Sequence, residues 1–428
     1  MSTHIDGHVV VVDLGFGDAG KGATVDRLCA QHPTGAVVRF NGGAQAAHRV
    51  VAGDREHVFR QFGSGSLTGT RTLLAGTVAV EPIDLAREAD ELSALGVADP
   101  FALLSVHRDA LLTTPIHAAT NRAREDARGT GRHGSCGLGI GETVAWSLTH
   151  DAPRVADCTE PDLLRRKLDA LARACAPVIA DSGHHHPSVA DLVDLYREFA
   201  ATVRIVGDEE EARLATYGRL VFEGAQGVLL DEWHGFHPHT TWSTVTPDHA
   251  LAVLRGIGAG LEDVTVLGVT RSYQTRHGAG PFPSEDSTRA DRFPEAANGT
   301  GRYQGGFRTG ALDPLLLRYA IRACGGVDGL ALTHLDRIDT GIDVVTAHLV
   351  DDQRLVDIAG PFPVDPEYVQ QSALTAQLQR TRVELAAAPT DPAAFTALVA
   401  AELGTPVLMA AAGPDRSDIT DTTTVPAA

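Results

Sequence analysis

The chain has 428 residues, of which 43% are hydrophobic and 21% charged, and a formal net charge of −19 at pH 7. This composition is typical of a globular protein with one or two domains. The acidic balance argues against nucleic acid or an anionic membrane as a partner. Five cysteines without a CxxC pair, no apolar signal core and no apolar run of roughly 20 residues predict a cytoplasmic protein.

The first predicted element is a strand over Val9–Val12, followed by a glycine loop and a helix from Ala23. Four glycines lie between them: Gly15, Gly17, Gly20 and Gly22. Such a loop can direct backbone N–H groups and a helix N-terminus at an anion. Lys21 could reach the same phosphates, and the only other lysine is Lys167, which indicates that a compact ammonium is wanted here. A simple turn stays open, because Gly22 replaces the hydroxyl residue of the GxxxxGK[ST] pattern.

Further strands and helices alternate along the chain, which predicts an α/β fold with a mostly parallel central sheet flanked by helices. Short apolar runs predict strands at 36–40, 71–74, 102–106, 219–222, 264–269, 329–332, 342–350 and 407–412. Amphipathic patterns predict helices at 23–29, 83–95, 161–174, 189–203, 208–217 and 392–403.

Two long polar stretches, about 122–141 and 284–307, are rich in glycine and arginine and are predicted to be functional loop insertions. The tail, 418–428, is predicted to be disordered. Neither an internal repeat nor a clean linker is visible, so the sequence favours one large α/β domain over residues 1–428.

Several motifs then carry a resemblance to the adenylosuccinate synthetase family. The glycine loop GDAGKG is similar to the family's GDEGKG, and GGAQAAH follows it where the family has GGHNAGH. The blocks FEGAQG, GAGPFP, RTGALD, THLD and GPDR follow in the family's order. The resemblance implies a P-loop-type GTP site, Mg²⁺, GTP as co-substrate, and a homodimer whose sites borrow residues from the partner.

The resemblance implies that the phosphates of GTP lie against one set of residues: Gly17, Gly20, Lys21 and Gly22. It implies that His334 and Asp336 of THLD hold the guanine, with Gly413 of GPDR nearby. The family has lysine where this chain has His334. An aspartate after a strand is also a common helix cap, and that alternative stays open for Asp336.

The resemblance implies catalytic roles for Asp18, Lys21 and His48. Asp18 would take the proton from the acceptor and bind Mg²⁺, together with the carbonyl of Gly43. The first histidine of GGHNAGH is expected to be the family's general acid, and Ala44 stands in its place. His48 matches the second histidine, and the sequence leaves open whether it reaches the same point.

The resemblance assigns the acceptor and the amine to two further groups of residues. The acceptor-binding residues are Asn41, Ser135, Cys136, Gln226 and Thr246. The residues for the carboxylates of the amine are Thr300, Arg302 and Arg308. The family's acceptor-phosphate loop GTTGRGIGP reads GSCGLGIGE here, so a cysteine replaces a threonine and Leu138 replaces an arginine. These changes indicate an altered acceptor.

We therefore predict a GTP-dependent carbon–nitrogen ligase, a specialised relative that uses aspartate or another amino acid on a changed carbonyl acceptor. Two alternatives stay open. One is adenylosuccinate synthetase itself, acting on inosine monophosphate and aspartate. The other is a GTP-binding regulator that has lost catalysis, which the retained Asp18, Arg302 and Arg308 speak against.

Overall fold

The computed structural model describes residues 5, 7–214, 216–288, 293 and 301–426. Its strands are β1 (His8–Asp13), β2 (Ala36–Arg39), β3 (His48–Ala52), β4 (Arg55–Phe59), β5 (Arg71–Leu74), β6 (Ala79–Val80), β7 (Leu104–His107), β8 (Leu111–Leu112), β9 (Arg204–Val206), β10 (Leu220–Glu223), β11 (Val264–Arg271), β12 (Gln274–His277), β13 (Phe307–Gly310), β14 (Gly329–Thr333), β15 (Asp343–Val350), β16 (Gln353–Leu355), β17 (Arg382–Ala387), β18 (Val407–Ala411) and β19 (Ile419–Thr424).

The helices are α1 (Lys21–Gln31), α2 (Pro82–Ala94), α3 (Pro115–Arg128), α4 (Ile140–Ser147), α5 (Pro161–Ile179), α6 (Val189–Thr202), α7 (Asp208–Leu214), α8 (Asp248–Gly256), α9 (Pro314–Ala323), α10 (Val369–Arg380) and α11 (Pro392–Leu403). Across the described ranges, none of them is long and apolar enough to cross a membrane.

A ten-stranded sheet forms the centre of the fold, in the order β19-β18-β14-β11-β1-β10-β2-β5-β7-β9. All neighbours pair in parallel except β18 and β19. The valine run of β1 lies in the middle of the sheet, and Val9 to Val11 have no exposed surface. A strand covered on both faces reads as a continuous apolar run, which is why β1 is predictable. The α/β fold with a mostly parallel sheet is confirmed.

Two sequence predictions are wrong. The tail from 418 was predicted to be disordered, yet β19 pairs antiparallel with β18 through contacts such as Ala411 with Ile419. The stretch 122–141 was predicted to be one loop, yet α3 continues to Arg128 and α4 begins at Ile140. Arginine is a good helix former, and all the glycines of the stretch except Gly141 lie in the segment between these helices.

The start of α3 carries a signal that the polar composition hides. Thr114 caps the helix through a capping box with His117, and Pro115 occupies the first turn. Within the second predicted insertion, 284–307, residues 289–292 and 294–300 lie outside the described residues, and β13 begins at Phe307. The single-domain organisation stays a prediction.

Candidate active site at the carboxyl edge of the sheet

Six segments meet where parallel strands end. The glycine loop follows β1, GGAQAAH follows β2, FEGAQG begins at the end of β10, THLD follows β14 and GPDR follows β18. The sixth segment leaves β11 at Arg271. Because these strands are parallel neighbours, their carboxyl ends lie at one edge of the sheet. Ligands of open α/β sheets bind at this edge.

The glycine loop folds around Asp13, the last residue of β1. The Asp13 carboxylate accepts hydrogen bonds from Gly15 and Ala19 N–H, at 2.8 and 2.9 Å, and from Lys21 Nζ at 2.9 Å. Gly17 N–H lies 3.4 Å from the same carboxylate. Sequence reasoning missed Asp13, although a carboxylate that ends an apolar strand beside a glycine loop is a visible signal.

The predicted base, Asp18, lies in the loop with a left-handed backbone, at φ 59°. His277 Nε2 of β12 is 3.3 Å from its Oδ2. Burial favours a higher pKa for Asp18, but the hydrogen bond and charge of His277, with Arg271 and Lys21, hold the pKa below its usual value. An ionised carboxylate is a hard oxygen ligand of the kind that Mg²⁺ prefers, so Asp18 fits the implied metal.

His48 lies beside the glycine loop, which the sequence alone left open. A Cβ added at Gly22 would lie 2.7 Å from the Cβ of His48, so this contact requires glycine there instead of a hydroxyl residue. His48 Nδ1 is 2.6 Å from Oε1 of Glu223, and Oε2 of the same carboxylate accepts from Ser64 N–H at 2.9 Å. Although Ala44 replaces one histidine, His48 therefore packs against the glycine loop.

The charges of the buried His48–Glu223 pair follow from its surroundings. Burial favours a higher pKa for Glu223, but His48 and Arg39, with the Ser64 hydrogen bond, lower its pKa to about 2. Burial lowers the pKa of His48, against the attraction of Glu223. Glu223 is thus ionised and accepts from Nδ1–H of a neutral His48 ring, which leaves Nε2 as an acceptor that can take a proton.

The THLD turn lies against the glycine loop. Thr333 Oγ1 donates to the carbonyl of Ala19 at 2.7 Å. His334 has a left-handed backbone at φ 60°, and Arg271 Nη2 lies 2.7 Å from its Nε2. Burial, with Arg271 and Arg337, lowers the pKa of His334, so this ring is neutral and cannot replace the cation of a lysine. The Asp336 side chain is exposed and pairs with Arg337 at 3.0 Å.

The GPDR turn is joined to the same region from the other side. Arg416 donates to both carboxylate oxygens of Asp26 in α1, each at 2.6 Å. A Cβ at Gly413 would lie 2.2 Å from Oδ2 of Asp418, so the turn needs glycine at this position. Because α1 begins at Lys21 of the glycine loop, this ion pair links the GPDR turn to the helix that follows the loop.

The predicted second metal ligand, Gly43, has a carbonyl that accepts from Ala46 N–H at 3.2 Å. A carbonyl oxygen has a second lone pair, so this bond does not prevent metal binding. A Cβ at Gly43 would lie 2.4 Å from the Ala79 carbonyl oxygen, which explains why glycine is needed there.

The predicted acceptor residues fall into two places. Asn41 is buried and its amide is engaged on both sides, accepting from Ala225 N–H at 2.7 Å and donating to the Thr244 carbonyl at 2.9 Å. Asn41 therefore shapes the turn at Gln226, whose backbone is left-handed at φ 62°. Within the described residues, Gln226 Oε1 is buried without a hydrogen-bond partner, which makes its amide available to a ligand.

Thr246 and Ser135 are held by side chains of the protein. Thr246 Oγ1 donates to Asp248 at 2.7 Å, and Ser135 Oγ donates to Asn121 at 3.0 Å. Cys136 lies in the segment between α3 and α4, and this residue is exposed. The glutamate that follows this segment, Glu142, pairs with an arginine of α3.

The two predicted carboxylate-binding arginines are paired with acidic side chains. Arg302 Nη2 is 3.1 Å from Asp126, and Arg308 Nη2 is 2.5 Å from Glu285. Arg308 Nη1 also donates to the carbonyls of Gly278 and Gly280. The third predicted residue of this set, Thr300, lies outside the described residues.

Asp126 is a second residue that sequence reasoning missed. It accepts from Arg302, from Arg132 at 3.2 Å and from His184 at 2.9 Å, and so joins α3 to both neighbouring loops. The histidine run at 184–186 has no metal template spacing, and its first member has a structural partner here. His277 was also missed, because one histidine in a loop motif carries no signal by itself.

The chain matches known proteins over nearly its whole length. A family model described as adenylosuccinate synthetase matches residues 10–420. The adenylosuccinate synthetase of Neisseria meningitidis serogroup A is 32% identical over 434 residues, covering 96% of this chain and 97% of the relative. That of Anaeromyxobacter dehalogenans strain 2CP-1 is 34% identical over 379 residues, covering 85% and 84%.

Two solved structures show the likeness of fold. The fully ligated adenylosuccinate synthetase of Plasmodium falciparum superposes with a TM-score of 0.83 at 20% identity, covering 97% of this chain and 100% of that one. A succinoaminodeoxyadenylate synthetase of cyanophage S-2L superposes with a TM-score of 0.63 at 18% identity, covering 98% and 96%. By its family model, its relatives and its fold, the chain belongs to the adenylosuccinate synthetase family of GTP-dependent carbon–nitrogen ligases.

Proposed function

We propose that this protein uses GTP to phosphorylate a carbonyl oxygen of an amide or lactam acceptor, which the amine of an amino acid then attacks. The observation that carries the proposal is that three groups lie together at the carboxyl ends of the parallel strands. Lys21 and Asp18 lie in the glycine loop, THLD packs on that loop through Thr333, and the amide of Gln226 lies on the neighbouring strand end.

Asp18 takes the proton from the lactam N–H, and the electron pair moves onto the carbonyl oxygen. That oxygen forms a bond to the γ-phosphorus of GTP, and the bond to the bridging oxygen breaks to give GDP. Lys21 and the N-terminus of α1 stabilise the charge on the transferred group by position and electrostatics. His48, whose Nδ1–H is donated to Glu223, offers Nε2 as an acceptor beside the glycine loop and supplies no proton in its neutral form.

The amine of aspartate, or of another amino acid, then attacks the phosphorylated carbon. The new carbon–nitrogen bond forms, the carbon–oxygen bond breaks, and inorganic phosphate leaves. Arg302 and Arg308 hold the carboxylates of the amino acid, exchanging their present partners Asp126 and Glu285 for the substrate.

Mg²⁺ is the metal that this chemistry calls for. Asp18 and the carbonyl of Gly43 would hold it, since both offer hard oxygen atoms at the same sheet edge. When bound, the ion supplies charge neutralisation for the phosphates of GTP.

We propose further that the acceptor differs from inosine monophosphate. Cys136 offers a thiol, a weaker donor than the hydroxyl that the family's threonine provides for a phosphate. Glu142 adds a carboxylate beside this segment, although an arginine of α3 pairs with it. The cyanophage protein of similar fold is described as bound to dGMP and dATP as an energy donor, so related folds accommodate other substrates.

A second candidate function is that of adenylosuccinate synthetase itself. The residues that favour it are Asp18, Lys21 and His48, because they would serve inosine monophosphate as well as any other lactam. The changes at Ala44, Cys136 and Leu138 speak for the altered acceptor. In either case we propose a homodimer, which size-exclusion chromatography with light scattering tests directly.

The deciding experiment is phosphate release from GTP and Mg²⁺, with aspartate and inosine monophosphate added singly and together. We expect GTP to bind in all four conditions, with neither substrate, with each alone and with both, but to release no phosphate rapidly. Phosphate release should appear when another carbonyl acceptor is supplied. A screen of heterocyclic amides and lactams with mixed amino acids would find that acceptor. Release only when both substrates are present, on the order of 1–10 s⁻¹, would instead establish the second candidate.

A further inference from the structure

Asp13 is a fully buried carboxylate inside the glycine loop, and no step of the proposed chemistry uses it. Its Oδ1 accepts from Gly15 N–H at 2.8 Å and from Gly17 N–H at 3.4 Å. Its Oδ2 accepts from Ala19 N–H and from Lys21 Nζ, both at 2.9 Å. One internal anion therefore engages the amides and the ammonium that would otherwise be free for a phosphate.

The position of this carboxylate is fixed by the sheet. Asp13 pairs with Val269 of β11 at the carboxyl end of β1, and Leu14 N–H donates to the Val269 carbonyl at 3.0 Å. This pairing with β11 holds the backbone of Asp13 in place at the end of β1. Any exchange of partners must therefore come from Lys21, whose chain has four rotatable bonds.

Lys21 is only 3% exposed and already has an anionic partner. A polyphosphate and Asp13 carry the same sign of charge and compete for the same ammonium. We infer that Asp13 is an internal anion that holds the glycine loop in shape before a nucleotide binds and weakens nucleotide binding by competing with phosphate for Lys21. The inference rests on the proposed GTP site and names the residue that sets affinity there.

The same hydrogen bonds give Asp13 a second effect, on Asp18. The N–H groups on either side of Asp18, those of Gly17 and Ala19, point toward Asp13. Asp18 itself has a left-handed backbone, and its carboxylate faces His277. Asp13 is thus a positioning residue for the proposed base, because it fixes the direction in which the Asp18 side chain leaves the loop.

The test is the substitution Asp13→Asn, which keeps the shape and removes the charge. Isothermal calorimetry would measure binding of GTP and of inorganic pyrophosphate. We expect both to bind at least about tenfold tighter, because the buried ammonium has no anion until the ligand supplies one. The gain should vanish in Asp13→Asn combined with Lys21→Met. Equal or weaker binding by Asp13→Asn would overturn the inference.

A matched control separates this effect from general destabilisation. Asp313 is also fully buried, and it caps α9 and bonds His348 at 2.7 Å. Asp313→Asn should lower the melting temperature without changing the affinity for pyrophosphate. Turnover gives a further readout, since loss of positioning predicts that kcat falls in Asp13→Asn while GTP binds more tightly. A purely structural residue would not produce these opposite changes.

The wild-type chain offers a measurement that needs no variant at Asp13. Lys21 and Lys167 are the only lysines, so lysine labelled with ¹⁵N at Nζ should give two ammonium signals, assigned with Lys167→Arg. We expect pyrophosphate to shift the Lys21 signal and leave the Lys167 signal in place. A Lys21 signal unchanged at saturation would overturn the inference. Binding of pyrophosphate but not GTP would contradict the proposed function and leave the inference testable on pyrophosphate; binding of neither would contradict both.

Discussion

The proposed nucleotide side of the site and its proposed substrate side are built differently. On the nucleotide side, buried groups join the loops, such as the bond from Thr333 to Ala19 and the two-point ion pair of Arg416 with Asp26. On the substrate side, partly exposed ion pairs join the loops, as between Arg302 and Asp126, where the Arg302 side chain is 68% exposed.

This difference teaches which part of the site can change. A buried, fully bonded loop tolerates few substitutions, because each lost partner leaves a polar group unsatisfied. Exposed ion pairs contribute little to stability, so residues there can be exchanged at small cost. The departures from the family motifs at Cys136 and Leu138 lie on this second side, whereas His334, in place of the family's lysine, is a departure on the first side. Substitutions should therefore separate the two sides by the substrate they affect.

The largest effect is expected from Asp18→Asn. Loss of the proposed base should lower kcat by roughly 10³- to 10⁴-fold, with GTP affinity in the absence of Mg²⁺ nearly unchanged. Single-turnover phosphate release with the identified acceptor measures it. The control is Asp391→Asn, at the N-cap of α11, which should leave kcat unchanged. Equal turnover in Asp18→Asn would remove Asp18 from the mechanism.

Lys21→Met should lower kcat/KM for GTP by roughly 10²- to 10³-fold, as expected for loss of one group that stabilises the transferred charge. Lys167→Met is the natural control, since Lys167 pairs with Asp151 and Asp157 away from the loop. Both variants should be compared for KM of the amino acid, which Lys21→Met should not change. A similar loss of kcat/KM in both variants would show that the effect is not specific to the glycine loop.

Glu223→Gln tests the buried pair through stability and pH. Replacing a carboxylate that accepts several hydrogen bonds should lower the free energy of unfolding by about 2–3 kcal/mol at pH 7. The folded-state pKa is about 2, below the unfolded value of about 4.3, so the stabilisation is present above pH 4.3 and lost as the pH falls toward 2.

The difference in unfolding free energy between wild type and Glu223→Gln should therefore shrink as the pH falls from about 5 to about 2, the range that spans those two pKa values. Urea denaturation at several pH values measures this. A difference that stays constant over the whole range would mean that Glu223 is protonated in the folded protein. In that case Glu223 would not orient His48 through a negative charge.

Arg302→Ala and Arg308→Ala should each raise KM for the amino acid by roughly 10- to 100-fold, through loss of a charged hydrogen bond of about 1.5–3 kcal/mol. GTP affinity should stay within about twofold, because effects at distant sites without shared partners are nearly independent. Arg354→Ala, at an exposed pair with Glu384, serves as the control. If GTP affinity fell as well, the two sides of the site would not be separable.

The smallest effect is expected from Cys136→Thr. A hydroxyl is a better donor than a thiol, so binding of a phosphate-bearing acceptor should improve by a few-fold, about 0.5–1 kcal/mol. KM for inosine monophosphate, or its Kd if there is no turnover, measures this. The control is Ser372→Thr, at an exposed position of α10, because Cys158 is buried in the core and makes no suitable comparison. No change for any phosphorylated acceptor would remove Cys136 from the acceptor site.

Much of the sheet was predictable, because parallel strands covered on both faces are continuous apolar runs. The predicted helix 392–403 coincides with α11, where Asp391 caps and Pro392 starts the helix. The failures have physical causes. The threonine-rich β19 lies at an edge, where pairing with β18 orders a chain that has no strong pattern of its own. The arginine-rich α3 has polar composition but a clear cap at Thr114.

The candidate site was predictable only where a motif carries it. Gly22 and Lys21 are visible in the sequence, but the contact of Gly22 with His48 depends on how β3 crosses the start of α1. The Asp18–His277 pair joins residues 259 positions apart by their numbers, which no local pattern can reveal. The partners of Arg302 and Arg308 are likewise set by tertiary structure, and Thr300 keeps only its sequence prediction.

The central claim is that the nucleotide side is that of a GTP-dependent ligase and the substrate side accepts another carbonyl compound. The most direct measurement is one titration series on the purified chain: calorimetric binding of GTP with Mg²⁺, followed by phosphate release with inosine monophosphate and aspartate. We expect GTP to bind and phosphate release to stay at the level seen with GTP alone. Sustained release that requires both substrates, on the order of 1–10 s⁻¹, would contradict it.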